Sequence, residues 1–379
     1  LYNTGSGNET NAWTITLHTN DATAATAAEL NTIDSATSVA VTSAAITGLA
    51  ASDLDDLTTL NGNVGNFSTL ANITAVTLTE NGGAGNSNVD YSTLETIIDA
   101  YQARNGAVAF TPDSGDTIVI DDADEVTAYV SDITNGRLVL DNQAVTVDST
   151  VNLGVTDARK IANDTSGTVT ATITAGTRVS DLTTLYNTGS GNETNAWTIT
   201  LHSNDATGAT AAELNTINSA TSAEVNAAAI TGIAASSMSD VGTLLTSAVA
   251  TDPREFTTGS FDNLTAVNIN SATIDVTDLN TAITNAGSAV TAPTVPVFTL
   301  TNTNALINGG TEAEFESLTD VSGAGATKNI NLGVMINAGD FLSHVDSMDN
   351  VCNKTFPNIK KSKIKFVRIA CHFHEIFKI

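Results

Sequence analysis

The sequence predicts a mainly β fold, a parallel β-solenoid with short helices in its coils. Three observations predict it: a long internal duplication, a shorter period nested inside it, and a Thr-rich, Lys-poor composition. Residues 1–18, LYNTGSGNETNAWTITLH, recur unchanged at 185–202, and 42 of the 50 positions in 1–50 match 185–234 at an offset of 184. Self-similarity at this level marks duplication of a whole structural unit. Within the long unit a smaller motif recurs: Ser or Thr, then an acid, then Leu, then an apolar residue three further on. It occurs around Leu30, Leu54, Leu94, Leu182, Leu214 and Leu279. Leu182 and Leu214 are 32 residues apart, Leu214 and Val241 27, and Leu30 and Leu54 24. A strand, a turn, a short helix and a return of this length make one coil that cannot hide its apolar face alone.

Each element has its own local reason. Thr26/Glu29, Ser92/Glu95 and Thr210/Glu213 have capping-box spacing, in which hydroxyl and carboxylate satisfy the free N–H groups of a helix start. These predict helices of two or three turns. Strands are predicted where β-branched residues alternate with others: Trp13–Leu17, Val39–Val41, Ala75–Thr79, Thr117–Ile120, Arg137–Leu140, Ala144–Val147, Val169–Thr174, Trp197–Leu201, Ala266–Ile269 and Val297–Leu300. Asn135-Gly136 reads as a hairpin turn. The domain reading is therefore a solenoid unit over 1–106, a β-rich insert or tighter coils over 107–153, and a second solenoid unit over 154–327. Tandem β-sandwich domains are the alternative architecture.

Charge separates the last stretch. Residues 1–327 carry six basic and 37 acidic residues, whereas 328–379 carry eight basic and four acidic, with both cysteines, Cys352 and Cys371. This basic tail reads either as a small module docking on the acidic body or as out-of-frame, non-native sequence. Leu1, in place of an initiator Met, reads as a fragment's first residue. The overall charge of -27 and pI near 4.1 argue against nucleic-acid binding. No run of 18 apolar residues occurs, so no membrane-spanning helix is expected. Thr makes up 62 of 379 residues.

The runs AAELNTIDSATSVAV and AAITGLAASDLDDLTTL resemble the Thr/Ala/Asp-rich repeats of very large surface or secreted proteins of marine bacteria. That class is adhesin-like or of the haemolysin calcium-binding type. The resemblance covers about 1–325 and implies an extracellular, non-enzymatic role and no particular ligand. The partner expected for such a segment is a cell-surface or matrix component such as a polysaccharide.

Calcium is the cofactor such a protein calls for. Residues 82–90, GGAGNSNVD, match the glycines of the calcium nonapeptide but place Ser87 where the ligand Asp belongs. Asp113, Asp116, Asp121, Asp122 and Asp124 cluster around one strand and are the candidate calcium ligands, against the alternative of a solvated acidic face. Thr-x-Thr pairs such as Thr14/Thr16 and Thr198/Thr200 could order water on a flat face, as ice binding requires. No catalytic residue is assigned: His18 and His202 are equivalent repeat positions without a fixed acid or nucleophile partner. Gly323–Lys328 lacks the spacing of a phosphate loop. The expected function is a structural or adhesive spacer and display segment. A carbohydrate-active solenoid enzyme, a calcium-folded module and an ice-binding solenoid are the alternatives. Uncapped coil ends predict end-to-end or lateral self-association.

Overall fold

The computed structural model describes residues 11–79, 88–185, 195–251, 255–289, 296–302, 305–309, 314, 321–322 and 329–330. Its first half comprises α1 (Ala27–Ser35), β1 (Gly48–Ser52), α2 (Leu54–Gly62), β2 (Ala75–Leu78), β3 (Asn88–Asp90), α3 (Tyr91–Asn105), β4 (Ala109–Thr111), β5 (Thr117–Ile120), α4 (Ala123–Thr134), β6 (Ala144–Val147), β7 (Asn152–Leu153) and α5 (Val155–Asp164). The second half continues with β8 (Val169–Ile173), α6 (Val179–Leu182), β9 (Ala196–Thr198), α7 (Ala211–Ser219), β10 (Gly232–Ser236), α8 (Met238–Val249), β11 (Ala266–Ile269), β12 (Thr273–Asp275) and α9 (Val276–Ala289). It ends with β13 (Val297–Leu300), β14 (Leu306–Asn308), β15 (Val321–Ser322) and β16 (Asn329–Ile330).

This order corrects the predicted fold class. The protein is mixed α/β: nine α-helices among the described residues alternate with parallel strands. Neither the mainly β parallel solenoid nor the tandem β-sandwich is found. Helix content was underestimated because threonine, a strand former, populates exposed helix faces here. Thr32, Thr58, Thr96, Thr127, Thr216 and Thr281 each donate the side-chain hydroxyl to the carbonyl four residues back. That bond lets a β-branched hydroxyl residue sit in a helix.

The strands form four sheets, ordered β1-β2-β4, β3-β5-β6-β8, β10-β11-β13-β15 and β12-β14-β16, with β7 and β9 both on β8. Every pairing is parallel, for example Gly48↔Ala75 and Ala75↔Ala109 in the first sheet. In the third, Ala266 pairs with both Gly232 and Val297. Parallel neighbours need a crossover, and the helices supply it. Each long helix then packs on the next along the chain, α1 on α2, α2 on α3 and α3 on α4, and later α7 on α8 and α8 on α9. One hydrophobic core runs from Ala25 to Ile307 without a break. Its largest fully buried members include Trp197, Tyr91, Tyr101, Tyr129 and Phe110.

Helix starts follow capping chemistry. Thr26 and Thr210 each close a full capping box with Glu29 and Glu213. Ser92/Glu95 does not, because α3 begins earlier: Asp90 is its N-cap and accepts from Thr93 N–H at 2.8 Å. Asn135-Gly136 is not a hairpin. Asn135 ends α4, and Gly136 takes φ 66°, the left-handed conformation that stops a helix.

Candidate functional site

Several of the features that recur in both repeats lie at the junctions between successive strand–helix units. The first N–H of α1, on Ala27, donates to Ser52 Oγ at 2.8 Å, and the Ser52 hydroxyl donates in turn to Ala50 O at 2.7 Å. In the second repeat Ala211 N–H, Ser236 and Ala234 O repeat both bonds, each at 2.8 Å. Both serines are buried. Helix starts expose unpaired N–H groups, and each of these is satisfied by the strand of the next unit. A second strut lies alongside. Asn31 Nδ2 donates to Asp56 O and Asn215 Nδ2 to Asp240 O, both at 3.0 Å. Asn280 does the same to Glu314 O at 2.8 Å.

Where the repeats differ, the bond survives with its direction reversed. Asn66 Nδ2 donates to Asp34 Oδ2 in the first, and Asn218 Nδ2 donates to Glu255 Oε2 in the second. Three basic side chains also bridge units. Arg104 Nη1 donates to Asn61 Oδ1 at 2.8 Å, and Arg104 Cζ lies 4.3 Å from the Tyr101 ring centroid. Lys160 Nζ reaches Thr134 Oγ1, and Arg178 Nη1 reaches Asn204 O and Asp205 Oδ1, each at 3.2–3.3 Å.

The five predicted calcium ligands divide between the two ends of β5. Asp113 and Asp116 precede it. Asp116 is buried, and its Oδ2 accepts from Asp113 N–H at 3.2 Å. Asp121, Asp122 and Asp124 follow it, all exposed. Asp122 is the N-cap of α4, accepting from Glu125 N–H, and Asp124 lies in the first helical turn. Asp121 N–H in turn donates to Glu125 Oε2 at 2.7 Å. A four-residue strand spans about 13 Å, so the two groups stand apart. Among the described residues no group of three or more His, Cys, Asp or Glu is placed to hold a metal ion. The nonapeptide-like run at 82–90 lies largely outside the described residues, as do Gly323–Lys328, Cys352 and Cys371.

His18 and His202 have a local role. Each Nδ1 accepts the N–H two residues on, Asn20 or Asn204, at 3.1 Å, and so caps a 3-10 turn. The threonine rows are short. Thr146 pairs with Thr170, but the flanking partners in that row are Val119 and Ala196.

One polar network at the core joins residues that no local pattern links. Tyr91 Oη donates to Asp132 Oδ2 at 2.8 Å, and Arg137 Nη1 stands 3.5 Å from Asp132 Oδ1. Burial pushes the Asp132 carboxyl up, while Tyr91 and Arg137 pull it down. Tyr129 packs edge-on against Tyr91, ring centroids 5.1 Å apart. The Tyr129 hydroxyl and Asp164 Oδ2 are buried without hydrogen-bond partners. Burial pushes Asp164 up to about 6. Tyr91 lies on α3, Tyr129 and Asp132 on α4, Arg137 just beyond α4 and Asp164 at the end of α5, so only the fold joins all of them.

No protein-family model matches the chain, and comparison with curated proteins found no significant match. Among the described residues, no helix is long and apolar enough to cross a membrane.

Proposed function

We propose that the chain is a structural, adhesive segment of a large extracellular or cell-surface protein, in which serial strand–helix units provide reach and display. The observation that carries this reading is the duplicated junction: the same serine and asparagine bonds tie unit to unit in both repeats. Positions held constant between repeats thus join units to one another. Among the described residues, three basic side chains that could grip an anionic substrate, Arg104, Lys160 and Arg178, instead bridge neighbouring units. Outward positions such as Thr77, Thr170, Thr198 and Thr200 offer an uncharged face in short stretches. Such a face suits many weak contacts made together.

Incubating the full chain with acidic and neutral polysaccharides tests the reading. The expected outcome is that any retention is reversible and no new reducing ends form. Reproducible release of reducing ends would replace it with a carbohydrate-active enzyme.

A further inference from the structure

The duplication sets up an internal comparison: one sequence in two surroundings. Trp13-Thr-Ile-Thr-Leu17 and Trp197-Thr-Ile-Thr-Leu201 are identical. In the second copy Ala196–Thr198 is the strand β9, paired in parallel with β8 through Thr170↔Ala196, Ala171↔Trp197 and Thr172↔Thr198. In the first copy residues 12–14 form no strand, and no described strand pairs with them. Trp197 is 1% exposed, whereas Trp13 is 49% exposed. Ile199, Leu201 and Ile217 are buried, whereas Ile15, Leu17 and Ile33 are only half-buried. Thr198 and Thr200, which face outward, are as exposed as Thr14 and Thr16. The difference is therefore confined to the side that β8 and α6 cover in the second copy.

Polar positions show the same contrast. Asn195 is buried, and its Oδ1 accepts Val169 N–H at 2.9 Å. Asp205 accepts Val179 N–H at 3.1 Å and pairs with Arg178 at 3.2 Å. Their equivalents, Asn11 and Asp21, have the same side chains at the same offset of 184. An apolar stripe flanked by a ready amide and a ready carboxylate is the negative of a particular surface, and that surface is present in this chain.

We propose that the face formed by Asn11, Trp13, Ile15, Leu17, Asp21 and Ile33 is a docking site for a further repeat unit carrying the Val169–Leu185 type of segment. The incoming strand would pair in parallel with residues 12–14, its Ala171 equivalent opposite Trp13. Its Arg178 and Val179 equivalents would meet Asp21. This goes beyond the spacer reading and stands without it, since it concerns what the face recognises and not where the protein works.

The test fuses a copy of residues 123–184 ahead of Leu1 of the full chain, recreating the junction that precedes residue 185. The emission of Trp13 is obtained by difference, from each protein and its Trp13→Phe variant. Docking moves Trp13 emission to the blue and removes most of its quenching by acrylamide in the fused protein, while in the parent chain Trp13 stays exposed. Asp21→Ala lowers the Tm of the fused protein and leaves the parent unchanged. Trp13 emission unchanged by the fusion, or an added segment that stays protease-sensitive, overturns the proposal. So does a blue shift of the parent chain that grows with its concentration, which would assign the face to a second copy.

Discussion

Asp164 combines three unfavourable circumstances. It is the last residue of α5, so its charge faces the negative end of the helix dipole. One carboxylate oxygen is buried without a partner, and the buried Tyr129 hydroxyl responds to its charge. Burial raises its pKa to about 6 from an ordinary 3.8. A raised value means that the fold favours the protonated acid. The stabilisation is complete below the ordinary value and is lost as pH rises through about 6, so the ionised form is a burden at neutral pH. Asp164→Asn is expected to stabilise the protein by about 1 kcal/mol at pH 7, after allowance for solvent screening of a half-exposed group. Near pH 4 it should change little. Asp90 has the opposite sign. Hydrogen bonds from Ser92 and Thr93 hold its carboxyl below the ordinary range, so its contribution is present above that range and lost on acidification. Thermal melts from about pH 2 to about pH 7.5 check both. An equal effect of Asp164→Asn at the two extremes would contradict the assignment.

At the scale of the element, cap and junction residues can be ranked. Thr26→Ala and Thr210→Ala each remove a capping-box hydroxyl and should cost about 1 kcal/mol. Ser52→Ala and Ser236→Ala leave a buried helix N–H unpaired and should cost about 1–3 kcal/mol. Ser92→Ala should cost less than Asp90→Ala, because Asp90 caps α3. Denaturant titration gives the order, and a Ser92 variant weaker than the Asp90 variant would refute it. The same elements show what the sequence disclosed. The capping boxes of α1 and α7 and the strands β2, β5, β6, β8, β11 and β13 are visible in local pattern, because capping and alternation are local physics. The strands β1 (GLAAS) and β10 (GIAAS) are not, since Gly, Ala and Ser have little strand preference and only pairing with β2 and β11 creates them. Trp13–Leu17 has the pattern of a strand without the partner, and it stays unpaired at residues 12–14. Among the candidate site residues, Asp122 is the N-cap of α4 and Asp124 lies in its first turn, a placement that the run of acids alone does not disclose. Acids at a helix start and acids around a cation look alike until the helix is known. The Ser and Asn junction bonds join residues 25 apart, a distance that no local pattern reports.

At the scale of the whole molecule, the serial packing of helices and the unbroken core bear on how size should grow with length. A compact globule of 379 residues has a radius of gyration of about 21 Å, and adding 184 residues raises this only to about 24 Å. Units packed in series behave differently, and here α1 packs on α2, α2 on α3, α7 on α8 and α8 on α9. Inserting one further copy of residues 1–184 should lengthen the particle nearly in proportion to residue number while leaving its cross-section unchanged. The inserted junction reproduces one already present, with Ala196–Thr198 on β8, so no new interface has to be designed. The charge of -27 gives the expected salt response. With 41 acids against 14 bases, self-repulsion opposes compaction, and screening to about a 10 Å Debye length at 0.1 M relieves it. Stability should therefore rise from low to moderate ionic strength while the cross-section stays fixed. Small-angle X-ray scattering of the parent and the lengthened chain, each at two salt concentrations, measures the radius of gyration and cross-section, and thermal melts at the same concentrations measure the stability. A radius of gyration near the globular value with a thickened cross-section would show that the added units fold back on the body, and the assignment of reach to this protein would have to be given up.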